Sequence, residues 1–434
     1  MFRTRKIGVV AAALAVTASL GLAACGGDDS GDSGDGKTLR LWHYEGPNSA
    51  MGIAWAKAIE DFKASHPGVE VVYEEKGFEQ IRQNAGMILN SNEAPDLMEY
   101  NKGNASAGLL SKQGLLTDMT EEVTKRGWDQ KIPASIATTS KYDQNGVMGG
   151  DKWYGVTNYG EYVMVYYNKD EFKRLNLEVP TTLAEFETVM QKFKDDGKTP
   201  LAVGGAEYPA QQIFYQLALS GATNAFVDDY QLYKNKVNFQ GPEMTKGATK
   251  FAEWVSKGYI AKDSAGVKAE DMGVSFIQGK SPILISGSWW YGRFTDEIKY
   301  DWGTFLFPGN TLQAGSGGNL WVVPTSAKNK SLAYDFIEIT MKPEIQALLG
   351  NSGGVPIGAD ASTITDPKNK ELIENFNKIN AANGLAFYPD WPAPGYYDVL
   401  VAGMQNLING SKDPKAVLDE IATPYNDNLA SIGK

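Results

Sequence analysis

Three large aromatics, Tyr208, Trp289 and Trp391, stand next to Gly or Pro in the stretches GGAEYPAQQ, ISGSWW and PDWPAPGYY. Aromatics in loops of that kind favour a binding role over core packing. Trp42, Trp55, Trp254 and Trp321 lie within apolar patterns instead, and are expected to pack. The other reactive type is Cys25, the only cysteine among 434 residues. A lone thiol forms no internal disulfide, which leaves a chance buried residue, a reactive group or a site of covalent modification. With 2 His in the chain, a His-rich zinc site is disfavoured. His43 reads as a hydrogen-bonding residue rather than a metal ligand, and neither a metal nor a cofactor is expected. The GDSGD run at 31–35 lies in a low-complexity tract and carries no nucleophile signal. The glycines of GSGG at 315–318 lack the lysine of a phosphate loop and read as a hinge or a close backbone approach.

Cys25 takes its meaning from what precedes it. Arg3, Arg5 and Lys6 form a positive cluster, followed by IGVVAAALAVTASLGLAA with no charge before Asp28. This is a secretory signal layout, and an uncleaved anchor is its alternative. Leu22-Ala23-Ala24-Cys25 resembles the lipobox of bacterial lipoproteins, which implies a signal peptide over 1–24 and diacylglycerol on the Cys25 thiol. Each buried CH2 contributes about 0.8 kcal/mol, so two or more acyl chains hold a domain at a membrane. Residues 25–37 then form a lipidated, flexible tether of Gly, Ser and Asp. Lipidation would also remove the one candidate cysteine nucleophile.

Loss of residues 1–24 moves the formal net charge from -11 to -14. So acidic an exported chain is not expected to bind nucleic acid, whose phosphates require Lys and Arg. Its 42% hydrophobic content supports ordinary globular cores.

The elements that must position the aromatics follow from periodicity. TLRLWHY is a strand, and Trp55, Ala58, Ile59 and Phe62 have helical spacing. Strands at HPGVEVVYEE and APDLMEY, with a helix around 81–89 between them, complete a βαβαβ pattern and predict a mostly parallel sheet. A second run starts near Asp151, with strands and a helix in DKWYGVTNYGEYVMVYYNKDEF. Thr182 and Glu185 form a capping box ahead of LAEFETVMQKF. Strands at PLAVGG, PILISG, WGTFLF and NLWVVP alternate with helices near 209–219, 242–256, 268–278, 332–341 and 344–349. From Asp366 the chain is mostly helical.

Trp153 to Phe186, with Tyr167-Asn168-Lys169-Asp170 at its core, resembles a signature of the extracellular solute-binding proteins that serve ABC sugar importers, the group around maltose-binding protein. Ala94-Pro95-Asp96-Leu97, Ser286-Gly287-Ser288-Trp289 and PTSAKNKSLAYDFIEITMKPEIQ agree in order. The resemblance implies a two-lobed α/β, periplasmic-binding-protein type II fold. Each lobe would be a mixed, mostly parallel sheet flanked by helices, with the ligand cleft between lobes. It places lobe 1 at 38–157 and 313–365 and lobe 2 at 158–312 and 366–434, with crossings near 156–159, 311–318 and 361–370. Ligands bind beyond the carboxyl ends of strands in such sheets.

A sugar offers apolar C–H faces to flat rings and a rim of hydroxyls to carboxylates. Carried onto this chain, the resemblance nominates His43, Glu45, Tyr100, Glu161, Glu207, Tyr208, Trp289, Trp391 and Tyr396 as ligand-binding residues, with Phe78, Asn101, Tyr159 and Asn319 as second-rank candidates. Without the resemblance, Glu161 would read as a solvated strand residue. Asn101-Lys102-Gly103-Asn104 departs from maltose-binding protein, which carries an acid and a base there, and this argues against maltose itself. The expected partners are a di- or oligosaccharide, such as xylobiose or cellobiose, and the transmembrane subunits of an ABC permease. The protein is expected to be monomeric, non-enzymatic and anchored outside a Gram-positive cell. An exported glycoside hydrolase is the alternative, because acids and aromatics also serve sugar cleavage. An adhesion protein would show repeats, and none is visible.

Overall fold

The computed structural model describes residues 35–434; Cys25, the signal layout and nearly all of the tether lie outside them. The first sheet has the order β11-β3-β1-β2, from β1 (Thr38–His43), β2 (Glu70–Glu75), β3 (Leu97–Tyr100) and β11 (Leu320–Val322). β1 pairs in parallel with β2 and β3, as the alternating pattern predicts, and β11 runs antiparallel against β3. Helix α1 (Ala50–Ser65) crosses from β1 to β2. Its N-cap Ser49 accepts from the Gly52 amide, and it buries Trp55, Ala58 and Phe62. Helix α2 (Phe78–Leu89) crosses from β2 to β3 and buries Ile81, Ala85 and Leu89 one turn apart.

The second sheet is organised around β6 (Tyr159–Asn168). Its path is β10-β6-β8-β7, with β7 (Leu201–Ala202), β8 (Ile283–Gly287) and β10 (Gly315–Gly317). β9 (Trp302–Phe305) and β12 (Val355–Pro356) also pair with β6, and like β8 and β10 they run antiparallel to it. This sheet is therefore mixed with only β7 and β8 parallel, where the resemblance implies mostly parallel pairing. Residues 141–142 (β4) and 152–153 (β5) form a separate hairpin. Against the second sheet and its surroundings pack α3 (Pro209–Ala218), α4 (Pro242–Ser256), α5 (Ala269–Ile277), α6 (Tyr396–Asn409) and α7 (Pro414–Ser431). The Thr182 side chain and the Glu185 carboxylate make the reciprocal capping box at the start of Leu183–Asp195.

The chain passes between the two sheets more than once. Val156 bridges to Trp321 beside the first sheet, and three residues later Tyr159 opens β6 of the second. β10 pairs with β6, whereas β11, beginning at Leu320, pairs with β3. Gly318 and Asn319 therefore carry the chain from one lobe to the other. Gly318 is required there by contact, because a Cβ would sit 2.2 Å from the Tyr159 ring. The two lobes leave a cleft at the carboxyl-terminal ends of their parallel strands, the position a ligand takes in open α/β sheets, with the amino-terminal ends of the antiparallel β6 and β11 beside it. Trp55, Trp254 and Trp321 are buried in the cores, and Trp42 nearly so.

Candidate ligand-binding cleft

The cleft is a cavity of about 680 Å³, within the ~300–1,000 Å³ of typical small-molecule sites. Six aromatic rings follow one another around it. Tyr44 meets Phe78 edge-on at 5.4 Å, Phe78 meets Tyr208 at 6.4 Å, and Tyr208 meets Trp289 at 5.7 Å. Trp289 then lies 6.1 Å from Tyr388, and Tyr388 lies 5.0 Å from Trp391. The first two rings come from the β1 and β2 ends of the first lobe, and the other four from the second. The first three contacts are edge-to-face and the last two tilted, and such geometries favour one arrangement of rings over others.

Trp289 is the ring best placed to serve as a platform. It follows β8 directly, is only partly buried, and is oriented by a hydrogen bond from its Nε1 to the Tyr208 hydroxyl at 3.1 Å. Its ring folds back over Gly287, where a Cβ would lie 1.9 Å from a ring carbon, so the Gly-Ser-Trp sequence is a steric requirement. Trp391 is 2% exposed and does different work. Its ring centroid lies 5.4 Å from the Lys102 Nζ, and Tyr388 takes a similar position at 5.8 Å. Gly103, at φ +100°, lets the backbone pass under that indole, since a Cβ would meet it at 2.6 Å.

Lys102 is the residue that sequence reasoning passed over. It is 2% exposed, and its ammonium donates to Glu161 at 2.5 Å and to Asn319 at 3.0 Å. This pair joins the end of β3 in one lobe to β6 in the other. Glu45 and Glu99 are buried close by, so one ammonium serves three carboxylates. Burial, with the charge of Glu45 adding to it, holds the Glu99 carboxyl well above the ordinary range, although the Tyr159 hydroxyl donates to it at 3.3 Å. Burial likewise pushes Glu45 up to about 7, opposed by the hydrogen bond from the Ser49 hydroxyl at 3.2 Å. Asp390, elsewhere in the lining, is raised by burial to about 6.

These shifts set a pH dependence. A carboxyl raised in the fold contributes stability that is complete below its unfolded value and is lost as pH rises through its folded value. For Glu45 the window is about pH 4.5 to 7. Glu45→Gln removes the ionisation, and the variant's melting temperature is expected to fall less than the wild type's between pH 5 and pH 8. Equal falls in the two proteins would assign the pH dependence to other groups.

Of the residues nominated from sequence, Glu45, Phe78, Asn101, Glu161, Glu207, Tyr208, Trp289, Asn319 and Trp391 come together in the lining. Glu207 also accepts from the amide of Ala269 at 2.8 Å, which fixes the start of α5. Four do not reach the lining. His43 is 3% exposed and stacks on Tyr73 at 4.5 Å; burial lowers its imidazole to about 4, and its Nδ1 accepts from the Glu45 amide. Tyr100 points to the opposite face of β3 from Glu99, as strand alternation requires, and packs in the core with Met98. Tyr159 lies beneath the cleft, where its hydroxyl accepts from the Asn319 amide at 3.0 Å. Tyr396 is buried near Tyr425, and its neighbour Tyr397 lines the cavity instead. Adjacent positions on a helix are rotated by about 100°, so only one of the two faces the cleft.

Residues 57–375 match the family model of the bacterial extracellular solute-binding proteins. The chain is 24% identical to the multiple sugar-binding protein of Streptococcus mutans, over 85% of both chains. It is 23% identical to the maltotriose-binding protein of Pyrococcus abyssi, over 92% of this chain and 83% of the relative. A structure from work on xylan utilization by Caldanaerobius polysaccharolyticus superposes with a TM-score of 0.77 at 20% identity, covering 89% of this chain and 99% of that one. With the family model spanning most of its length, this chain belongs to the bacterial extracellular solute-binding proteins.

Proposed function

We propose that the protein is the carbohydrate receptor of an ABC importer and takes a di- or oligosaccharide in this cleft. The observation that carries the reading is the run of six aromatic rings, contributed by both lobes, beside buried carboxylates that also come from both lobes. A sugar between the lobes meets ring faces along its C–H surfaces, while acceptors such as Glu207 and Glu45 accept hydrogen bonds from its hydroxyls. The buried Tyr44 hydroxyl has no partner among the described residues and provides a further polar group at the lining. Only a closed cleft makes both sets of contacts, so ligand shifts the population toward closure. The closed form then docks on the transmembrane subunits of the permease.

The lobes are taken as 38–157 with 319–354 and 158–318 with 355–434, in place of the boundaries expected at 313 and 365, because β10 and β12 pair with β6 whereas β11 pairs with β3. Relatives with sugar-binding names support a carbohydrate ligand, and a plant-derived β-linked sugar, such as xylobiose or cellobiose, is the first candidate to be tested. The protein acts as a monomer, tethered to the outer face of a Gram-positive membrane through acylated Cys25. It binds sugar without cleaving it, in keeping with a family and relatives that are binding proteins.

Calorimetric titration with xylo-, cello-, malto- and chito-oligosaccharides, with product analysis of the same samples, tests this. One-to-one binding with intact sugar is the expected result. Cleavage products would replace the reading with a hydrolase, and absence of binding across the panel would remove it.

A further inference from the structure

At the mouth of the cleft, α2 of the first lobe faces the start of α6 in the second. α2 connects β2 to β3, and α6 packs on α3, α4 and α7, so any bond between them spans the lobes. Four groups meet there. The Tyr397 hydroxyl donates to Glu79 at 2.7 Å and accepts from the Tyr208 amide at 3.2 Å. Arg82 donates to the same Glu79 carboxylate from Nε at 3.0 Å and from Nη2 at 2.9 Å. The Nη2 also reaches Asp398 at 2.9 Å, and the guanidinium lies 4.0 Å from the centroid of the Tyr397 ring. Glu79 and Tyr397 line the cavity, whereas Arg82 stands outside the lining, with its side chain 15% exposed.

We propose that Arg82 is a positioning residue for cleft closure: it fixes Glu79 on one lobe and grips Tyr397 and Asp398 on the other, forming a clasp that stabilises the closed arrangement without touching ligand. Each of its bonds across the mouth exists only while the lobes are together, so its free energy belongs to the closed state. A fork-shaped donor suits the task, because it engages two carboxylates and a ring face at once. Burial and the nearby Glu79 hold the Tyr397 phenol protonated, which keeps its hydroxyl a donor. Because Arg82 stands outside the lining, its bonds add the same increment to every sugar bound by closure. A ring such as Trp289 differs, because its contribution depends on which sugar lies against it. The uniform effect on affinity rests on the receptor reading; the effect on lobe separation does not.

The test compares the full protein with Arg82→Gln. Small-angle scattering without sugar is expected to show a larger radius of gyration for the variant. In titrations with the oligosaccharides that the wild type binds, Arg82→Gln is expected to weaken each by the same factor, roughly tenfold, or about 1.4 kcal/mol. Tyr397→Phe keeps the ring under the guanidinium and removes only the hydroxyl, and it is expected to expand the sugar-free protein in the same direction. Unchanged scattering in both variants would overturn the proposal, as would losses that differ strongly from one sugar to another. If no sugar binds to the wild type, the receptor reading falls, and the scattering alone decides the clasp.

Discussion

Trp289→Ala is expected to weaken sugar binding by about 2–4 kcal/mol, roughly thirty- to several-hundredfold in affinity. The indole is a rigid ring that lines the cleft and is only partly buried, held in place by its bond to Tyr208 and by the absence of a side chain at Gly287. Truncation removes the platform and leaves the Tyr208 hydroxyl without its donor, so the loss exceeds that of contact area alone. Tyr208→Phe keeps the Trp289 ring and removes only its anchor, and is expected to cost less than Trp289→Ala. Calorimetry on both variants, with melting temperatures as the control for folding, checks the order. Wild-type affinity in Trp289→Ala would show that the sugar lies elsewhere in the cavity. A large drop in melting temperature would show that the ring serves the core instead.

Why Trp289 was legible from sequence and Lys102 was not is a matter of range. The first depends on a strand of apolar residues, a Gly and a Trp within a few positions, so local pattern places it at a strand end. The same locality made β1, β2, β3 and the helices between them readable, as it did the capping box at Thr182. Lys102 has its partner 59 residues away in β6, and only the meeting of two sheets shows that the ammonium is buried and paired. From sequence it appeared as a departure from a family pattern. Tyr396 shows a finer failure. The helix and the aromatic pair were both visible, but which of two adjacent tyrosines faces the cleft depends on helical phase, which tertiary packing sets. Residues 104–140 fold as a series of short helical turns with no periodic run long enough to read. The resemblance nominates His43 and Tyr100, both at strand ends, but strand alternation turns one ring against Tyr73 and the other into the core.

Lys102→Met is expected to destabilise the fold by about 3–5 kcal/mol at neutral pH, the range for removing one partner of a buried ion pair. Methionine approximates the apolar stem of the lysine beneath Tyr388 and Trp391, so the variant deletes charge with limited loss of packing. What remains is Glu161 without its 2.5 Å donor, Asn319 without its own, and two further buried carboxyls close by. Without the ammonium, the charge of Glu45 and Glu99 is removed by taking up protons, since the hydrogen bonds from Ser49 and Tyr159 do not neutralise it. A carboxyl that gains a proton on folding stabilises the fold at low pH and withdraws that stability as pH rises. The deficit of Lys102→Met relative to wild type is therefore expected to be larger at pH 8 than at pH 5. Adding Glu161→Gln to Lys102→Met removes the stranded charge and is expected to recover part of the loss at pH 8. Denaturant melts of the wild type and both variants at the two pH values measure this. A deficit of the same size at pH 5 and pH 8, with no recovery in the double variant, would mean that Lys102 acts through packing and not through its charge.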